Sequence, residues 1–166
     1  IRSCAPLASF LAFYFHMIFP DVRQVQTNSS SEIFEQMIRI TEDDVVIGIS
    51  FPRYSMRTMK ALEFANSRKA KVITITDSVH SPMNVYAACT LIAKSDMASI
   101  VDSLVAPLSV INALVVALCM KRQADVKKTL ESMEKLWDEY QVYSNDEING
   151  LDLSLIHISE PTRPRL

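Results

Sequence analysis

Apolar residues recur along the chain at two spacings that alternate. Over 4–19, Leu7, Phe10, Leu11, Tyr14, Phe15 and Ile18 fall three and four positions apart, which predicts a helix. Pro6 suits its first turn, where no N–H is needed, and Pro20-Asp21 end it. "VRQV" (22–25) predicts a short strand. "NSSSEIFEQMIRI" predicts a second helix, with Ser30 or Ser31 as N-cap and Glu or Gln in the first turn. "DVVIGIS" (44–50) is a continuous apolar run with β-branched residues, the pattern of a strand buried on both faces. A helix over 55–68 follows, its apolar side carried by Met56, Met59, Leu62 and Phe64. "KVITIT" (71–76) predicts a second buried strand, "DSVHSPM" a polar loop and "CTLIAK" (89–94) a third strand. A long apolar helix is expected over 98–121. An amphipathic one is expected over 124–143, with Val126, Leu130, Met133, Leu136, Trp137 and Tyr140 on one face.

Buried strands alternating with helices imply βαβ crossovers and an α/β fold, a parallel sheet covered on both sides. Ligands in such folds sit at the carboxyl ends of the strands. Here those ends are Ser50 and its turn, Thr76-Asp77-Ser78 and Lys94-Ser95-Asp96, all polar where the strands behind them are apolar.

Composition narrows the chemistry. The 166 residues, 49% apolar with net charge −2, suit one domain with a real core and give no basic footprint for nucleic acid. The chain holds two glycines, Gly48 and Gly150, which excludes the P-loop and the dinucleotide fingerprint, since both bring backbone close to phosphate with several glycines. An anion site must then rely on hydroxyls and helix amides. Cys4, Cys89 and Cys119 lie far apart without metal-ligand spacing and are expected as buried free thiols in a reducing cytoplasm. No metal or cofactor is implied. The run 7–19 is shorter than the about 20 residues of a membrane span. The run 97–120 carries Asp102, Pro107 and Asn112, so a buried helix is expected and no membrane partner.

Both ends read as non-native. The chain opens at Ile1, without methionine and directly before a helix, so a preceding element, the first strand, is expected to be truncated. "LSLIHISEPTR" (153–163) reads like an in-frame translation of a transposon-based sequencing adapter, which removes His157 and Ser159 from consideration.

The turn "SFPRYSMRT" (50–58) is the richest stretch. A helix N-terminus offers N–H groups and partial positive charge, Ser50, Ser55 and Thr58 add hydroxyls, and Arg53 or Arg57 adds a bidentate fork. The alternative is that these hydroxyls only cap the helix. Together with "KALEFA", "AKVITITDSVHSPM" and "CTLIAK", the segment "DVVIGIS" resembles a sugar isomerase (SIS) domain over about residues 1–121, most closely the effector-binding half of RpiR/MurR-type bacterial regulators. The resemblance implies a three-layer αβα sandwich with a flavodoxin-like parallel sheet, followed by a C-terminal helix and turn (122–150) and the non-native tail (151–166). In that family the turn reads S-x-S-G-x-T-x-x-T and binds the phosphate of a phosphosugar. Ser50 keeps the first serine, Ser55 replaces a threonine and Thr58 keeps the last, while Pro52 and Arg53 stand in place of the second serine and the glycine. Arg53 is placed to replace what the glycine's amide supplied. The family's further phosphate contact falls on Ser3 or Cys4.

Isomerases of this fold need a positioned base, for which Glu63, His80 and Asp102 are the candidates, and they form no acid–base pair in sequence. The expectation is therefore a non-enzymatic sugar-phosphate sensor, a cytoplasmic dimer or tetramer that reaches DNA only through a missing N-terminal helix-turn-helix domain. An aldose–ketose phosphate isomerase and a degenerate dimerisation domain are the alternatives. The helix at 98–121 is either a dimer interface or a core helix.

Overall fold

The structure, a computed structural model, describes residues 4–26, 29–96 and 102–143. Ser3, residues 97–101 and the suspected adapter tail lie outside the described residues. Contacts divide the chain into two units, Ile1–Val126 and Lys127–Leu166.

The first unit is built on three parallel strands, β1 (Val45–Ile49), β2 (Lys71–Thr76) and β3 (Cys89–Ile92), in the spatial order β1-β2-β3. Their side chains alternate between two cores. Ile47, Ile49, Ile75, Leu91 and Ala93 face α1 (Ala5–Ile18) and α4 (Val105–Lys121), which pack on each other. Val46 and Val72 face α2 (Ser30–Met37), α3 (Met56–Ser67) and a 3₁₀ turn at Pro82–Tyr86. This is the αβα layering expected from buried strands joined by helices. The first core is filled by Leu7, Leu11, Ile18, Phe51, Ile111 and Val115, the second by Ile33, Met37, Leu62, Ala65 and Met83.

Gly48 fixes the spacing of sheet and helix. It lies in the row Gly48–Thr74–Thr90 across the three strands, on the α3 side. A methyl group there would fall 2.8 Å from both terminal carbons of Leu62, itself 1% exposed. The strand gives up a side chain so that α3 can press its leucine onto the backbone.

Several expectations are corrected. Residues 22–25 form no strand: no ladder partner lies beside them among the described residues, and a short strand without one has nothing to satisfy its N–H and C=O groups. The N-cap of α2 is Ser29, one residue earlier than expected. The helix expected from 98 begins at Val105. Pro107 accounts for this, since a proline is tolerated in a first turn and would clash with the preceding turn of a continuous helix. Asp102 thus precedes the helix and is not inside it. Cys4 is buried, but Cys89 is exposed and Cys119 half-buried. β3 flanks the sheet, so Cys89 and Ile92 keep water contact, and Val45 at the start of β1 is likewise exposed.

The amphipathic helix α5 (Gln123–Glu139) ends four residues short of its expected limit and continues into the second unit. Its end is closed by Gln141 at φ 51°, with the Val142 N–H donating to the Trp137 carbonyl at 3.0 Å and Trp137 meeting Tyr143 edge to face. No residue of α5 is buried. Among the described residues no single helix is long and apolar enough to cross a membrane.

Gly48→Ala should lower stability by roughly 1–3 kcal/mol, the usual cost of an extra carbon in a filled core. Leu62→Ala should be costly alone, yet cheaper in combination with Gly48→Ala than the two effects added, because each relieves the other's misfit. Urea unfolding of the four proteins in the cycle measures this; simple additivity would remove the contact from the account.

Candidate functional site

The carboxyl ends of β1 and β2 and the start of α3 meet at residues 50–58. Past β1, the Ser50 N–H continues the ladder to the Ile75 carbonyl at 3.2 Å, which holds Ser50 beside β2 and 5% exposed. The chain then reverses within four residues. Arg53 takes φ 68°, the left-handed conformation for which glycine is the usual residue. With no glycine available the backbone keeps the shape and bears a cost of about 1–2 kcal/mol.

Ser55 is the N-cap of α3, its backbone extended and its Oγ accepting the Thr58 N–H at 3.4 Å. The Ser55 N–H in turn donates to Ser50 Oγ, also at 3.4 Å. Both bonds are long, and both use the serine oxygens only as acceptors. Each hydroxyl therefore keeps its own proton to give away. Thr58 stands half-buried in the first turn, and Arg57 is exposed one residue before it. Ser50, Ser55, Thr58 and Arg53 are thus gathered on one turn. Cys4, the alternative to Ser3, is the N-cap residue of α1 and is buried in the first core.

A second group of polar residues braces this turn from β2. Tyr54 Oη donates to Asp77 Oδ1 at 2.7 Å, while Thr76 Oγ1 lies 3.2 Å from the same oxygen and 3.0 Å from Ser81 Oγ. Burial, and secondly the bond to Asp77, hold the Tyr54 phenol above its ordinary value of 10.0. One step down the sheet, Asn84 accepts from Thr74 at 2.8 Å and Thr90 at 3.2 Å, and its amide donates to the carbonyls of Ser78 and Val79. Loop 77–81 is therefore tied to both strands, and no buried side-chain polar atom among the described residues lacks a partner. Sequence reasoning missed Tyr54 and Asn84. The available signal was Thr74, Thr76 and Thr90, hydroxyls on one face of otherwise apolar strands.

Charge beside the turn includes the pair Arg53 and Asp102, with one guanidinium nitrogen 3.5 Å from both carboxylate oxygens. Of the candidate bases, Glu63 is exposed on α3, and His80 is exposed with its backbone N–H on Ser78 Oγ. Neither is drawn into the turn.

Arg53→Gly should range from neutral to about 1 kcal/mol more stable, the relieved left-handed strain being partly offset by glycine's greater freedom when unfolded. Arg53→Ile should be less stable than wild type; equal urea midpoints for all three would contradict the strain. Tyr54→Phe should cost about 1–3 kcal/mol near pH 8, the range for a bond to a charged acceptor. Because the folded phenol titrates above the unfolded value of 10.0, this stabilisation is complete below that value and disappears as pH rises through the folded one. Unfolding curves taken from pH 8 upward should therefore show the advantage of wild type over Tyr54→Phe constant below pH 10 and shrinking as pH rises further above it.

The same arrangement of sheet and helices occurs in solved structures. The sugar isomerase domain of an RpiR transcription factor from Sphaerobacter thermophilus superposes with a TM-score of 0.73 at 24% identity, over 79% of this chain and 73% of that one. The Vibrio vulnificus NanR protein, solved in complex with ManNAc-6P, gives 0.70 at 15% identity over 87% of this chain and 55% of its own. A Salmonella typhimurium chain assigned as a phosphosugar isomerase gives 0.52 at 16% identity, over 69% of this chain and 35% of that one. At these identities the likeness is one of fold. No curated protein matches the chain. The family model of the SIS domain, however, matches residues 1–117, a stretch holding all three strands and the hydroxyl-bearing turn. The chain belongs to the SIS domain family.

Proposed function

We propose that this chain is the effector domain of an RpiR-type bacterial regulator of carbohydrate metabolism and that it binds a phosphosugar at the turn 50–58. The observation that carries the reading is the pair Ser50 and Ser55. Each accepts a backbone N–H and retains a proton, and the pair sits at the start of α3, where the helix dipole favours an anion. Thr58 and Arg53 complete the donor set, with Ser3 the further phosphate contact that the family resemblance implies. Similarity in fold to the NanR protein complexed with ManNAc-6P supports a sugar phosphate as the ligand class.

The regulator would act as a cytoplasmic dimer or tetramer. Ligand would bias one arrangement of subunits, and DNA would be contacted by a helix-turn-helix domain outside these residues. The net charge of −2 accords with a domain that does not itself touch nucleic acid. An aldose–ketose phosphate isomerase is the second reading, favoured by the fold it shares with the Salmonella protein. Exposed Glu63 and His80, neither drawn toward the serines, weigh against it.

Thermal unfolding of the chain against hexose, pentose and amino-sugar phosphates tests the reading. A ligand at 100 times its dissociation constant should add about 2.7 kcal/mol of stability. The gain should vanish in Ser50→Ala and Ser55→Ala. Folded protein with no shift for any sugar phosphate would leave a dimerisation domain, and turnover of the ligand would favour the isomerase.

A further inference from the structure

Arg53 belongs to the proposed phosphate turn, yet its guanidinium is engaged elsewhere. Its Nη2 points between the two carboxylate oxygens of Asp102, 3.5 Å from each. An arginine holds a carboxylate best through two nitrogens on two oxygens at shorter range, so this pair is poorly made. It is also unevenly exposed, the arginine side chain 71% and the aspartate 22%. Pairs that long and that open contribute little, so the arginine can leave at small cost.

Asp102 occupies a consequential place. It lies two residues before Leu104, the N-cap of α4, and its neighbour Ser103 is held through its carbonyl by Ser95 Oγ at 3.0 Å. The start of α4 is thus linked to the strand ends through Arg53 and, one residue on, through Ser95, among other contacts. Behind them, α4 buries Pro107, Ile111 and Val115.

We infer that Arg53 and Asp102 form an anion-exchange latch: without ligand the carboxylate pairs with the arginine, and a phosphate monoester takes it over, removing one of the restraints on the segment that leads into α4. This rests on the phosphosugar reading of the turn and adds its regulation. A phosphate among Ser50, Ser55 and the first N–H groups of α3 brings up to two negative charges to the turn that carries Arg53. It also offers several oxygens, so the guanidinium can make the fork that it does not make with Asp102. The carboxylate then faces the ligand's negative charge where it had faced the guanidinium, which weakens its hold on that position. Ligand charge at the turn becomes a change in the restraints on α4.

The sign of the effect separates a latch from a structural ion pair. Titration calorimetry of the 166-residue chain with inorganic phosphate and a panel of sugar phosphates should compare wild type, Asp102→Asn, Arg53→Gln and the double variant. Asp102→Asn should bind roughly two- to fivefold tighter, since the competing charge is gone. Arg53→Gln should bind more weakly, and the double variant should match Arg53→Gln. If wild type binds but Asp102→Asn binds no better, the latch is overturned while the phosphosugar reading stands. If neither binds any phosphate compound, although circular dichroism shows both folded, latch and phosphosugar reading fall together. Hydrogen exchange over 102–106 should rise on ligand addition to wild type and be raised already in Arg53→Gln; no change in either would overturn transmission to α4.

Discussion

The approach of α3 to β1 at Gly48 is the constraint on which the rest of the first unit depends. Leu62 lies so near the strand backbone that any side chain at 48 would meet it. With helix and strand pressed together, the linking chain has to reverse within residues 50–55, directly over the end of the sheet. The N-terminus of α3 is thereby aimed at the place where β1 and β2 stop. A looser packing would let that helix slide and would separate Ser50, on the strand side, from Ser55, on the helix side. The hydroxyl pair at the turn is a consequence of core geometry before it is a matter of ligand chemistry.

The second constraint is the shortage of glycine. Among the described residues Arg53, Lys69 and Gln141 take left-handed conformations at tight backbone reversals. At Lys69 the residue ends α3, where Ala70 N–H returns to the Ala65 carbonyl at 3.1 Å and the strain closes a helix. At Arg53 the same conformation has another consequence. A glycine there would make the turn and nothing more, whereas arginine makes the turn and projects a cation over the strand ends. The substitution trades backbone ease for a charge that can be shared between two partners.

Much of this was legible in sequence because period and composition agreed. The strand at 71–76 was found to the residue, since its β-branched pattern and the flanking Lys71 and Asp77 leave little latitude. The helices α1 and α3 followed from their apolar spacing and their first-turn residues. The errors have physical causes. For 22–25, local β propensity could not supply a ladder partner. Over 102–104 the apolar run outweighed Pro107, which sets where the helix can begin. At the site, the turn serines could be named from position, but Tyr54–Asp77 and the Asn84 hub join residues 23 and 10 positions apart. Such bonds depend on register between strands and loops, which one-dimensional patterns do not carry.

The register of those braces also decides which part of the turn can respond to a ligand. Tyr54 is tied to Asp77 at 2.7 Å, Asp77 follows β2 directly, and the loop beyond is fastened by Asn84 to two strands. That side of the turn is stiff. The serine bonds at 3.4 Å and the arginine pair at 3.5 Å are its loose contacts. A site with one fixed wall and one weakly held wall loses little order when ligand replaces the weak bonds, because the fixed wall already sets the geometry. Arg53, directly beside Tyr54 in the chain, stands where the two regimes meet. Its backbone is held by the braced neighbour while its side chain is held by a long, exposed ion pair, which is the condition for a residue to change partners without the turn changing shape.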